Sequence, residues 1–421
     1  MPARPAAAAR PRLPLTGARA SLARVGATAL TSNRLPTLAF DHQPRTRLVF
    51  DAGALARLGE LARELDGRRV LVVTDPGIVR AGHAARAVEA LLTAGLAVAV
   101  FDQVRENPTT LDVARCVEAA RAHACDLLVG LGGGSAMDTA KGGNFILTNG
   151  GQMRDYWGVG KARRPMLPLI AVPTTAGTGS ECQSVALIAD EQTHQKMACL
   201  DPKAAARVAL LDPELTLSQP AAVTAHTGVD ALAHVVETAV TRRRNPISLM
   251  YTHAAFTRLV PAFPRVLAAP DDLEARAQML LASSLAGLAI ENSMLGAAHA
   301  CANPLTAHFG VAHGEAVGLM LPHVVRCNAA DPTARRAYAE LASAPEIACV
   351  SDGLEPAVDA LVAEIEMLLN RAGIARSLAE LGVPPAAVPE LAAEAARQWT
   401  AQFNPRPLEV ADFAALYQAA F

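Results

Sequence analysis

The sequence predicts an α/β plus all-α architecture: a Rossmann-like parallel-sheet domain over residues 45–218, followed by an all-helical domain over residues 219–421. Continuous apolar runs alternate with helical patterns as far as residue 211, which is typical of a parallel sheet covered on both faces. Beyond about residue 220 only helical periods remain. Three histidines cluster between residues 295 and 314, so the two parts also differ in the chemistry of their side chains.

Short apolar runs bounded by turn residues define the strands of the N-terminal domain, and helical patterns separate them. The predicted strands are 46–50, 69–74, 96–101, 126–130, 166–172, 184–189, 196–200 and 208–211, with the sixth and seventh forming a hairpin. The predicted helices are 54–65, 79–94 and 110–124. Ligands of such sheets bind beyond the carboxyl ends of the strands, so the loops there are candidate binding elements.

Two loops at strand ends are rich in glycine and hydroxyl side chains. Gly132–Lys141 (GGGSAMDTAK) opens a helix, where backbone N–H groups and the helix N-terminus favour a phosphate. It is neither G-x-G-x-x-G nor a P-loop, and a plain strand-to-helix turn is the alternative. Pro173–Glu181 (PTTAGTGSE) offers flexible backbone and hydroxyl donors to a diphosphate. Together the two loops predict a dinucleotide site.

Two charged residues are further candidates for this site. Asp75 ends an early strand, where a carboxylate would bind the ribose 2′-hydroxyl of NAD and repel the 2′-phosphate of NADP. Its alternative role is that of a turn residue before Pro76. Lys196 would reach a phosphate, or would be an ordinary surface charge.

The second half is predicted to be a bundle of helices. Their bounds are 222–238, 248–267, 273–303 and 314–328, followed by further helices to the C-terminus. The third is expected to end at Asn303, because Pro304 cannot continue a helix. The loop after it would then bring His313 back toward His299.

A carboxylate and several imidazoles in this half form a candidate metal site. Asp230 and His234 are four residues apart and therefore share a helix face. His299, His308 and His313 lie among apolar residues, where an unpartnered imidazole is costly. Oxygen and nitrogen ligands suit Fe(II), Zn(II) or a similar ion. Ordinary hydrogen bonds between these side chains are the alternative.

Composition narrows the class of partner and the compartment. A net charge of -2 argues against nucleic acid, and no stretch is long and apolar enough to span a membrane. Seven cysteines without C-x-x-C spacing indicate reduced thiols and a cytoplasmic location. Residues 1–44, with six arginines before the first acidic residue, are expected to be a disordered leader. A mitochondrial transit peptide, and a matrix location with it, is the alternative.

Four ordered motifs together resemble the iron-containing (group III) alcohol dehydrogenase family, over roughly residues 45–417. In the family's notation they are GGGSxxDxxK (132–141), PTTAGTGSE (173–181), GVDALxHxxE (228–237) and H-x13-H-G (299–314). The resemblance implies a dehydroquinate synthase-like fold, a site between the domains and a homodimer or higher homo-oligomer. It also implies metal ligands at Asp230, His234, His299 and His313, with Fe(II) expected and Zn(II) as the second choice. The residues it assigns to NAD are Asp75, Asn107, Gly133, Gly134, Ser135, Asp138, Thr174, Thr178 and Lys196.

The implied function is a metal-dependent, NAD(H)-linked alcohol dehydrogenase or aldehyde reductase. A divalent cation would stabilise the alkoxide of a small alcohol, which passes a hydride to the nicotinamide. Within the family, a hydroxyacid-oxoacid transhydrogenase or a maleylacetate-type reductase is an alternative. A dehydroquinate synthase-like lyase, and a metal-binding oligomer without turnover, are others.

One position departs from the family's pattern. Many members have a histidine four residues after the third ligand, on the proton path, and this chain has Asn303 there. An amide does not exchange a proton at neutral pH. We expect its side chain to face the cleft, one turn beyond His299, and the proton to leave through water, a ribose hydroxyl or His308.

Overall fold

The computed structural model describes residues 40–193 and 195–421, so most of the expected leader over residues 1–44 lies outside the described part of the chain. At the start of the described part, His42 shares a 2.8 Å hydrogen bond with Asn292, and Arg45 pairs with Glu291 at 3.0 Å. None of the helices in the described ranges combines the length and apolarity that crossing a membrane requires.

Six parallel strands form the main sheet, in the order β1-β9-β6-β4-β2-β3. Their bounds are β1 Arg47–Phe50, β2 Arg69–Val73, β3 Ala97–Phe101, β4 Leu127–Gly132, β6 Leu169–Pro173 and β9 Val208–Leu211. The central strands β4, β6 and β9 are buried along their whole length, which explains their unbroken apolar sequence. The predicted parallel α/β domain is confirmed.

A second, three-stranded sheet lies in the same half, in the order β5-β8-β7. Its strands are β5 Gly158–Val159, β7 Val185–Ala189 and β8 Lys196–Leu200. β7 and β8 are antiparallel, as the predicted hairpin requires.

Helices cover both faces of the main sheet. Those of this half are α1 Leu58–Glu64, α2 Pro76–Arg80, α3 His83–Thr93, α4 Thr110–Ala122 and α5 Gly134–Asn149. The single helix predicted over 79–94 is wrong. Asp75 caps a short separate helix by accepting the N–H groups of Gly77 and Ile78, and the chain then breaks at Gly82, whose φ of 82° is left-handed.

The second half is all-helical in its described secondary structure. Its α-helices are α6 Ala221–Thr238, α7 Pro246–Ala268, α8 Leu273–Glu291, α9 Ala297–Phe309, α10 His313–Asn328, α11 Pro332–Ser343, α12 Leu354–Arg371, α13 Val388–Arg397 and α14 Val410–Ala419. They share one apolar cluster, in which Phe256, Phe263 and Phe413 are fully buried. Strands end at Leu211 and α6 begins at Ala221, and the domain boundary near 218–221 stays a prediction.

The prediction of a single helix over 273–303 is also wrong. This segment forms two helices, α8 and α9, separated by residues 292–296. Pro304, predicted to end the helix, lies buried inside α9, which continues to Phe309. A proline in a helix removes one backbone hydrogen bond, and here tertiary packing outweighs that cost. His299 therefore lies in the first turn of a helix and not near the end of one.

Candidate metal centre and cofactor cleft

A cavity of about 380 Å³ lies between the carboxyl end of the main sheet and the helices α6, α9 and α10. The sheet domain contributes the glycine-rich start of α5 and the loop after β6. The helical domain contributes the predicted carboxylate and imidazoles. Both kinds of predicted site therefore face one cleft.

The carboxylate of Asp230 is at the centre of the predicted ligand set. Its Oδ1 lies 3.3 Å from Nε2 of His234, 3.4 Å from Nε2 of His299 and 3.8 Å from Nε2 of His313. Ligand atoms of Asp230, His299 and His313 are all within 4.8 Å of one another. The rings of His234 and His299 are stacked, with centroids 4.9 Å apart. The arrangement brings together all four side chains predicted as ligands.

Three helices position these four side chains. Asp230 and His234 occupy successive turns of α6, His299 is in the first turn of α9, and His313 begins α10. The start of α10 lies directly against α6, since a Cβ on Gly314 would be 2.0 Å from the carbonyl oxygen of His226. A side chain at Gly314 would therefore require the start of α10, which carries His313, to separate from α6.

The polar atoms at this centre fit a cation. Oδ1 of Asp230 and Nε2 of His299 are buried and have no hydrogen-bond partner within the described residues. A buried polar atom without a partner costs about 1–3 kcal/mol. A divalent ion between one carboxylate and three imidazoles would satisfy these atoms, and the donor set suits iron or zinc.

Charge at the centre shifts two pKa values in opposite senses. Burial raises the pKa of Asp230, but the imidazoles of His234, His299 and His313 outweigh it and lower that pKa. Burial lowers the pKa of His299, but the carboxylates of Glu237 and Asp230 outweigh it and raise that pKa to about 9. The carboxylate is thus held ionised, and His299 must lose a proton to bind a metal.

Most of the residues predicted to contact the cofactor line the cleft. They are Asn107, Gly133, Gly134, Ser135, Asp138, Thr178 and Lys196. α5 begins at Gly134, so its free N–H groups open onto the same space. Such a helix start favours an anionic group, a phosphate among them.

Two of the residues predicted to contact the cofactor do not line the cleft. Thr174 is 2% exposed and does not line the cleft, whereas the next residue, Thr175, does. Asp75 also lies outside the lining: its Oδ1 caps α2 at 2.8 Å from the Gly77 nitrogen. Its Oδ2 faces the glycine-rich loop, 3.3 Å from where a Cβ of Gly132 would be. Whether Asp75 also binds a ribose stays a prediction.

The motif lysine, Lys141, joins the two loops from behind. It is fully buried, and its Nζ donates to the Ser180 carbonyl at 2.6 Å, the Ser180 hydroxyl at 2.8 Å and the Val185 carbonyl at 3.1 Å. The Ser180 hydroxyl in turn donates to Asp138 at 2.9 Å. This network fixes the PTTAGTGSE loop against α5.

The expectations for Asn303 and His308 are wrong. The Asn303 amide does not line the cleft and donates to Oε1 of Gln398 at 3.0 Å. His308 is exposed and pairs with Glu394 at 3.0 Å, two turns of α9 beyond His299. Helical spacing rotates His308 away from the ligands, so it is not placed to relay a proton.

Two residues of the cleft wall, and one behind it, were not identified from sequence. His226 lies one turn before Asp230 and lines the cavity, as does Trp399, which follows α13. Glu237 lies beneath His299 and bonds to it. Its place in the GVDALxHxxE motif was a usable signal, because it is on the face of α6 that carries His234 and Asp230. Trp399 offers no comparable signal, since only tertiary packing brings it near.

Comparison with known proteins adds to this geometry. The sequence model described as "Iron-containing alcohol dehydrogenase" matches residues 44–213, and "Fe-containing alcohol dehydrogenase family, C-terminal" matches residues 224–421. An NAD-dependent methanol dehydrogenase from Bacillus methanolicus is 32% identical over 372 residues, which are 88% of this chain and 97% of the relative.

Two solved structures resemble the chain over most of its length. The crystal structure of a 1,3-propanediol oxidoreductase has a TM-score of 0.88 at 32% identity, and covers 91% of this chain and 100% of its own. A sulfoacetaldehyde reductase from Bifidobacterium kashiwanohense, solved in complex with NAD+, has a TM-score of 0.82 at 30% identity, with 91% and 99% covered.

Proposed function

The chain belongs to the iron-containing alcohol dehydrogenase family, and from this premise we propose that it is an NAD-linked dehydrogenase that interconverts small uncharged alcohols and their aldehydes. One observation carries the proposal: the Asp230 carboxylate and three imidazoles face each other in the same cleft as the glycine-rich start of α5.

Asp230, His234, His299 and His313 would hold the metal, for which we propose Fe(II), with Zn(II) as the second choice. When bound, the cation supplies a Lewis acid that polarises the alcohol or carbonyl oxygen. The four side chains come from three helices that pack on one another, so they fix where that oxygen binds. Fixed placement of reacting groups is itself a large part of catalysis.

The start of α5 would bind the diphosphate of NAD, with hydroxyls from Ser135, Thr175 and Thr178 as further donors. With the diphosphate bound there, the nicotinamide end of the cofactor would lie further along the cleft, on the side of Asp230. A proton released from the alcohol would pass to water or to His226, which is half-buried at the cleft wall. NAD in preference to NADP is proposed because the Asp75 carboxylate faces Gly132 at the edge of this loop.

The walls of the cleft favour an uncharged substrate. Val223, Leu295 and Trp399 line it, and no arginine does among the described residues. Its one lysine, Lys196, is a predicted contact of the cofactor, so it would not be left for a substrate carboxylate. A hydroxyacid or maleylacetate carboxylate would need a free cation, which these walls do not supply. The sulfoacetaldehyde reductase is named for an anionic substrate, so the charge of the cleft wall would distinguish family members with anionic substrates from those with uncharged ones.

A substrate panel read by NADH absorbance tests the proposal. We expect steady reduction of NAD with 1-propanol or 1,3-propanediol, and at least about tenfold lower kcat/KM with 2-hydroxy acids, since one charged contact contributes about 1–3 kcal/mol. Preference for a hydroxy acid would favour the transhydrogenase. No net change in NADH with any alcohol, but conversion of a sugar-acid phosphate, would favour the lyase.

Assembly is proposed from the family and location from the cysteine pattern. We propose a homodimer or larger homo-oligomer, testable by light scattering at several concentrations. We propose a cytoplasmic location from the cysteine pattern, and all seven cysteines are free in the structure. Cell fractionation would test the location.

A further inference from the structure

Glu237 is a buried carboxylate that touches a metal ligand without facing the cleft. It is 3% exposed, and its Oε2 accepts a hydrogen bond from Nδ1 of His299 at 2.6 Å. Its Oε1 accepts from the backbone N–H of Ala298 at 2.7 Å. Both oxygens are therefore used, one on the ligand's ring and one on the helix that carries it.

The bond to Nδ1 decides which nitrogen of His299 is free. With its proton on Nδ1, the neutral ring presents a lone pair at Nε2, and this atom faces Asp230 at 3.4 Å without a hydrogen-bond partner. A carboxylate on the far nitrogen fixes the tautomer and ring orientation of a metal-binding histidine.

His299 is distinct from the other two imidazoles in this respect. His234 and His313 also point Nε2 at Asp230, at 3.3 and 3.8 Å. Among the residues that the structure describes, no carboxylate lies within 4.0 Å of their Nδ1 atoms. Any orientation of the centre by a second carboxylate must therefore act through His299.

A purely structural role for Glu237 is the competing explanation, because α9 has no side-chain cap of its own at Gly296. Two residues distant in sequence cap the start of α9 instead. Glu237 accepts the N–H of Ala298, and Asn404 accepts the N–H of Ala297 at 3.3 Å. Asn404 is 1% exposed and has no hydrogen bond to His299, so it shares the capping role without the contact to the ligand.

We propose that Glu237 is a positioning residue of the metal centre, which holds His299 with Nε2 facing Asp230 and thereby sets the affinity for the metal. The inference rests on the metal assignment under Proposed function.

Zn(II) affinity of the full-length protein, measured by competition with a chromophoric chelator, tests it against the capping role. We expect Glu237→Ala to weaken Zn(II) binding about 10–100-fold, the size of effect found for outer-shell partners of metal ligands. Glu237→Gln keeps the shape but not the charge, and should weaken binding at least about threefold. The matched control Asn404→Ala should lower Tm and leave Zn(II) affinity within about twofold of the parent.

Each outcome decides the question. Equal Zn(II) affinity in Glu237→Gln and the parent would overturn the inference, and this variant keeps the test valid if Glu237→Ala does not fold. Equal loss of affinity in Asn404→Ala and Glu237→Ala would also overturn it, because capping alone would then explain both. Failure of the metal assignment is separate: the parent would bind Zn(II) no better than Asp230→Ala does.

Discussion

The two sides of the cleft differ in whether the protein itself supplies partners for a buried charged or polar group. Behind the nucleotide loops, Lys141 is fully buried and has three acceptors, so its charge is compensated within the protein. At the metal centre, Oδ1 of Asp230 and Nε2 of His299 are equally buried and have no hydrogen-bond partner within the described part of the chain. The buried charge behind the loops, on the scaffold side of the cleft, is thus paired within the protein, whereas the polar atoms of the metal centre would be paired by an ion.

This difference predicts how each side responds to change. A substitution on the scaffold should cost folding stability and leave metal binding intact. A substitution among the ligands should cost metal and activity, because it removes a donor atom that the ion requires.

The largest effect is expected for His299→Ala. Loss of one imidazole from the centre should remove the metal and lower kcat/KM by about 10³-fold or more, which corresponds to several kcal/mol of transition-state stabilisation. His308→Ala is the matched control, since it removes a histidine of the same helix that pairs with Glu394 instead. Elemental analysis should show metal in the control and not in His299→Ala. Full metal content in His299→Ala would remove this residue from the ligand set.

On the scaffold side, Lys141→Met should destabilise the fold by about 3 kcal/mol, because it leaves buried acceptors at Ser180 and Val185 unpaired. Lys203→Met is the control. The Lys203 side chain is 42% exposed in its pair with Asp201, so its loss should cost less than about 1 kcal/mol. Urea unfolding measures both. If Lys141→Met lost metal but kept its stability, the two sides would not differ as described.

A pH dependence follows from His299, whose pKa is raised to about 9 in the metal-free fold. Because this value is above the unfolded one, protonated His299 stabilises the metal-free fold below about pH 6.5, and that stabilisation is lost as pH rises through about 9. A bound metal has already displaced the proton. The gap in unfolding free energy between loaded and chelated protein should therefore widen by on the order of 2 kcal/mol from pH 7 to 9.5.

Urea titrations of the protein with and without EDTA at the two pH values measure this gap. Burial also lowers the pKa of Lys141, but this group lies outside the metal centre, so its titration affects both forms alike and cancels in the difference. A gap that stays constant, or narrows, would mean that His299 is not protonated in the metal-free fold.

Features that depend on local sequence could be predicted, whereas features that depend on contacts between distant residues could not. The strands, both loops and the pair Asp230 and His234 are encoded in short spacings, and residues of the two loops and of this pair line one cleft. The break between α8 and α9 could not be predicted from the local sequence. Pro304 suggested a helix end at a position where tertiary packing keeps the helix intact. Nor could the bond from Glu237 to His299 be predicted, because it joins residues 62 positions apart.

Asn303 is where the smallest effect is expected, and it marks the outer limit of the metal centre along α9. Its amide donates to Gln398 away from the cleft, so Asn303→Ala should cost about 1 kcal/mol of stability and leave kcat within about threefold. Gln398→Ala removes the same hydrogen bond from the other side and should match it in both measurements. A drop of about 100-fold or more in kcat for Asn303→Ala alone, the size expected for a lost acid-base group, would show that this amide acts on the substrate. The boundary between the ligand turn of α9 and the rest of that helix would then lie one turn further along than the structure places it.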